Sequence, residues 1–106
     1  MVFINREAKN DLNEIFSGLI VWKRITLELK YCVDYVNQII DVCNTLDHLS
    51  VHFNSQYEDH KNQGEKIHKF KRTKNTTWYI IYDYDRLSNT VYVKRIMSNH
   101  TTISEI

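Results

Sequence analysis

Proline is absent from this sequence, and glycine occurs only at Gly18 and Gly64. Few tight turns can rely on either residue, so long helices and strands joined by polar loops are favoured. No apolar run reaches the ~18 residues that a membrane-spanning helix needs, so no membrane partner is expected. The N-terminus, MVFINREAKND, becomes charged at Arg6. A secretory signal needs a longer apolar region, so an intracellular, cytoplasmic protein is the expectation. The sequons Asn75-Thr76-Thr77 and Asn99-His100-Thr101 are then fortuitous. Cysteine is also scarce. Cys32 and Cys43 stand eleven residues apart on what reads as one helix. That spacing gives a shared face but a separation of about 16 Å, which excludes a disulfide or a shared metal. The five histidines show no ligand spacing such as HxxxH, so no metal or other cofactor is expected.

What is present describes a globular domain. The 106 residues are 42% hydrophobic and 25% charged, enough for a real core in one domain. The net charge of +1 is unevenly divided. Residues 1–50 carry five Lys/Arg against seven Asp/Glu, and residues 51–106 carry nine against six. Any polyanion is therefore directed to the second half.

Hydrophobic periodicity divides the chain. Val2-Phe3-Ile4 is an edge strand or a core plug. Asn5 is a candidate helix cap, followed by a stripe of Ala8, Leu12, Ile15, Phe16, Leu19 and Ile20 at helical spacing. Residues 22–24, WKR, read as the connection. A second helix over residues 26–46 has the stripe Leu29, Val33, Val36, Ile40 and Cys43, with Cys32, Ile39 and Leu46 beside it. The two should form an antiparallel hairpin. Residues 47–65 read as a tethered loop anchored by Leu49, Val51, Phe53 and Tyr57, with Gly64 at the turn into a strand. The period then changes to two, and strands are predicted at 66–73, 76–85 and 90–98. Trp78, Ile80, Tyr82 and Tyr84 share one face of the middle strand, and Tyr79, Ile81, Asp83 and Asp85 the other. The short spacings imply an antiparallel meander. The class is α+β, with a helix hairpin on one face of an antiparallel sheet and the other face or its rim left for function.

One segment concentrates positive charge. Lys61, Lys66, Lys69, Lys71, Arg72 and Lys74 precede the aromatic strand WYIIYDYD. Alternation puts Lys69 and Lys71 on one side of their strand and Arg72 on the other. A solvated, aggregation-resistant edge is the alternative to a phosphate-binding surface.

The order of these pieces resembles the RelE/ParE superfamily of bacterial type II toxins over most of the chain, as a single domain of residues 1–106. The resemblance lies in AKNDLNEIF, with Ala8, Asp11-Leu12, Ile15 and Phe16. It continues through IIDVCNTL, KIHKFKR, WYIIYDYD and VYVKRIMSNH. It departs at Tyr79, where many relatives have Arg, and in lacking a Pro after the second helix. The resemblance implies a metal-free, ribosome-associated mRNA endoribonuclease that is silenced by a cognate antitoxin. A gyrase inhibitor of the ParE kind, or a non-toxic binding module, is the alternative. In the nuclease the 2′-hydroxyl attacks the phosphate, which requires a proton acceptor, cations for the phosphorane and an acid for the 5′-oxygen. His100, Lys69, Lys71 and Tyr79 are the implied catalytic candidates; a tail histidine and a packing tyrosine are the alternatives at the first and last. Arg72, Arg95, His68 and Lys66 are the implied RNA contacts. His68 as a rim base competes with a solvent-facing strand histidine. Arg95 on a phosphate competes with pairing to Asp83 or Asp85.

Overall fold

A computed structural model describes residues 1–23, 29–55 and 64–99, with backbone alone for 20–23. The elements in chain order are β1 (Val2–Ile4), α1 (Arg6–Lys23), α2 (Leu29–Cys43), a 3-10 turn (Leu46–His48), β2 (Phe53–Asn54), β3 (Lys66–Lys71), β4 (Thr77–Asp85) and β5 (Thr90–Ser98). The strands form one sheet in the order β1-β5-β4-β3-β2. The meander β2-β3-β4-β5 is antiparallel, and β1 runs parallel to β5, so the sheet is mixed. Both helices and the other three strands lie between β1 and β5, a connection long enough for the parallel pairing.

Both helices pack on one face of the sheet. Ala8 and Leu12 of α1 and Ile39 and Cys43 of α2 meet Trp78, Ile80, Tyr82, Val91, Val93 and Ile96. Val2 and Ile4 pack on the same core, which is why the N-terminal run takes the strand alternative. Cys32 and Cys43 are buried free thiols, and burial pushes Cys43 up to about 12.

Several boundaries differ from expectation. Trp22 and Lys23 belong to α1 rather than to a connection; Arg24 and the predicted start of α2 lie outside the described residues. Along α2 the buried line is Cys32, Ile39 and Cys43, continued by Leu46, while Leu29 and Val33 are exposed. The stripe is rotated towards the 32-39-43-46 line because the sheet lies under that side. The expected loop contains β2, which pairs Phe53 with Ile67 and Asn54 with Lys66. Leu49 anchors it in the core, but Val51 and Phe53 are 58% and 66% exposed; Tyr57 lies outside the described residues.

Gly64 does not adopt a positive φ. It is small because the chain presses on β4. A Cβ there would lie 2.7 Å from Ile81 Cγ2 and 3.3 Å from the Tyr82 backbone N and O. The left-handed turn residue is Asn89, with φ 50° in the β4–β5 hairpin. Asp85 closes that hairpin by accepting from Leu87 N and Ser88 Oγ.

Candidate functional site

Strand alternation sorts the basic segment. Lys66, His68 and Phe70 turn towards the helices, opposite Tyr82, Ile80 and Trp78. Ile67, Lys69 and Lys71 turn away, opposite Ile81, Tyr79 and Thr77. The far face is not simply a wet surface. Ile67, Ile81 and Met97 are buried there, with Tyr79 packed against them. At its end, Lys69, Tyr79 and Met97 form a cross-strand row, and Lys69 and Lys71 are exposed. Two cations and a phenol therefore stand on a firm apolar floor.

Asn99 closes this end. Its Oδ1 accepts from Thr77 N at 3.2 Å, and its Nδ2 donates to Asn75 O at 3.1 Å. Thr77 is the register partner of Lys71, so β5 ends beside the lysine row. His100 lies outside the described residues.

The other candidates stand elsewhere. His68 is half-buried on the helix-facing side, and burial lowers its pKa. It does not share a face with Lys69 and Lys71. Lys66 donates to Asn54 Oδ1 at 2.6 Å and ties β2 to β3. Arg72 donates from Nε to Gln38 Oε1 at 3.0 Å and lies 3.8 Å over the Tyr35 ring, against α2.

Arg95 pairs with neither Asp83 nor Asp85. It grips Asp11 of α1 through Nε to Oδ2 at 2.8 Å and Nη2 to Oδ1 at 3.2 Å. Asp11 Oδ2 also accepts from Ile96 N at 2.9 Å. A bulge explains the change of partner. Val93 opposes Tyr82 but Arg95 opposes Ile81, so β5 carries one extra residue, Lys94. Lys94 takes Asp83 instead, at 3.6 Å. Beyond the end of β1, the Asp11 carboxylate accepts the strand N–H that no further strand receives. Asp11 appeared in the sequence as half of an acidic-Leu pair; its partner 84 residues away carried no local signal.

A second polar group was not foreseen. His52 Nδ1 and the Tyr82 hydroxyl share a 2.7 Å hydrogen bond, and the imidazole stacks on Tyr84 at 3.9 Å. Burial, with Tyr84 adding, pushes the Tyr82 phenol up to about 12. Burial and then Lys66 lower the His52 pKa. His52 stands between Val51 and Phe53, which the sequence offered as anchors of this loop, and nothing local marked the histidine itself.

Among the described residues no group of three or more His, Cys, Asp or Glu is placed to hold a metal ion, and no helix is long and apolar enough to cross a membrane. Comparison with protein-family models, curated proteins and solved structures returned no match.

Proposed function

We propose that this chain is a toxin-type endoribonuclease that binds single-stranded mRNA on the sheet face away from its helices. The observation that carries the reading is the grouping of Lys69, Lys71 and Tyr79 at one end of that face. Two ammonium groups about two strand residues apart suit the non-bridging oxygens of a phosphate, where charge grows as the 2′-hydroxyl attacks. Tyr79 orients the nucleotide by stacking or by its hydroxyl. Proton transfer is assigned to His100, which follows Asn99 at the end of β5. His68 is withdrawn as a base, since it faces the helices. Lys66 and Arg95 are withdrawn as RNA contacts, since Asn54 and Asp11 engage them. A cognate antitoxin is the expected protein partner, and the ribosome the expected site of action.

Tyr79 in the position of an arginine favours a second reading, a gyrase inhibitor that cuts nothing. Induction in cells, with mRNA ends and DNA breaks mapped together, separates the two. New mRNA ends that vanish in Lys69→Gln/Lys71→Gln and in His100→Ala support the nuclease. DNA breaks with intact mRNA support the inhibitor. Neither signal would sink both.

A further inference from the structure

We infer that Phe53 is a base-stacking platform for the same RNA, beside the phosphate held by Lys69 and Lys71. The inference rests on the ribonuclease reading and extends it from phosphate to base. Phe53 opposes Ile67 in the β2–β3 ladder, so its ring lies on the sheet face away from the helices. Lys69 stands two residues further along β3 on that face, a diagonal of roughly 7–8 Å from Phe53. Tyr79 opposes Lys69 from β4. From β2 to β4 the order is therefore aromatic, cation, aromatic. Proteins hold a single strand in this way, with cations on its backbone and rings on its bases. A phosphate on Lys69 and a base on Phe53 belong to neighbouring nucleotides. Glu65 and Asp83, joined by Glu65 N to Asp83 Oδ1 at 3.0 Å, lie past Ile67 in the other direction. A polyanion therefore runs from Phe53 towards Lys71.

A single exposed apolar side chain is ordinary, but the position of this one is not. Phe53 is largely exposed on β2, an edge of the sheet. Sheet edges are commonly guarded by charge or proline, yet residues 49–55, LSVHFNS, contain no Asp, Glu, Lys, Arg or Pro. Among the described residues no other aromatic ring stacks on that of Phe53. The chain on either side of it is fastened. His52 shares its 2.7 Å hydrogen bond with Tyr82 and stacks on Tyr84, and Asn54 Oδ1 accepts from Lys66 at 2.6 Å. Both neighbours are tied on the helix-facing side, so alternation turns Phe53 outward. A ring held in place before binding loses less entropy when a base stacks on it. The exposed lysines beside it select a polyanion as the occupant. A role confined to packing would have buried the ring.

The test is fluorescence anisotropy of a labelled oligouridylate of about twelve nucleotides across a KCl series, with thermal unfolding and sedimentation measured in parallel. Phe53→Ala should weaken binding about tenfold with an unchanged salt slope, because the ring carries no charge. Lys69→Gln should instead reduce the magnitude of the slope by about 0.7, the value for one single-strand phosphate contact. Phe53→Trp should bind at least as tightly as wild type. Phe53→Leu keeps apolar bulk without a ring and should fall close to Phe53→Ala. Wild-type affinity in Phe53→Leu would overturn the inference, whether or not Phe53→Ala folds, since stacking would then contribute nothing. A dimer that Phe53→Ala abolishes while RNA binding stays intact would overturn it too, and make a second copy of this chain the occupant. If the intact protein cuts RNA and these variants bind normally, only this inference falls. If the intact protein binds no RNA, the ribonuclease reading falls and takes this one with it.

Discussion

The two faces of the sheet bury adjacent residues of one strand for different ends. Ile80 and Ile81 are both fully buried. Ile80 lies under two helices in the larger core, whereas Ile81 belongs to a small cluster with Ile67 and Met97, pressed by Gly64. The helix-facing core joins all the principal elements. Among the described residues the far cluster joins only strands, and it carries exposed lysines at its rim. A face that holds charge in fixed positions needs a packed floor, and a few buried side chains suffice for that.

That contrast can be broken by mutation. Ile80→Ala should cost about 3–4 kcal/mol, as large-to-small changes at fully packed sites do. Ile81→Ala should cost nearly as much, about 3 kcal/mol, measured by denaturant unfolding. A loss under 1 kcal/mol at Ile81 would mean that the far face is surface and not core. Asp11→Ala should follow at about 2–3 kcal/mol, because it strands the Ile96 N–H and leaves the part-buried Arg95 without its carboxylate. Gly64→Ala should cost about 1–2 kcal/mol through the 2.7 Å approach to Ile81 Cγ2, and less when added to Ile81→Ala, which removes that methyl.

Acid should weaken the fold through its histidines. The folded pKa values of His52 and His68 both lie below the ordinary 6.5. Their neutral forms therefore contribute fully above pH 6.5, and the contribution is lost as pH falls below it, where the unfolded chain takes up protons first. Unfolding midpoints at pH 7.5 and 5.5 should show this fall, and His68→Gln should make it shallower. The smallest effect is expected at the rim. Lys69→Gln/Lys71→Gln should change stability by less than about 0.5 kcal/mol, so any loss of RNA cutting in that variant reports on the face and not on the fold.

Much of the lysine site was legible from alternation, because side-chain period two is a local property of any strand. It placed Lys69 and Lys71 on one side of their strand and Arg72 on the other, but that Tyr79 shares the lysine face followed only from the β3–β4 register. Arg95 was not legible in this way. Counting residues put it within reach of Asp83, but one extra residue in β5 changed its neighbours, and a bulge leaves no mark in the local pattern. Gly64 stands beside the bend at Glu65 that leads into β3, where the sequence put a turn, but its smallness also answers to a strand packed beside it, which no local pattern shows.

The amino-acid sequence alone determined the helices, the three long strands and the sorting of their side chains, since these follow from propensity and period over a few residues. Tertiary structure alone decided that β1 joins β5 in parallel, that β2 extends the sheet, that Asp11 holds Arg95, and that Tyr35 and Gln38 hold Arg72. Each of these depends on groups far apart in the chain, and such contacts form only when the whole core closes and sets their distances.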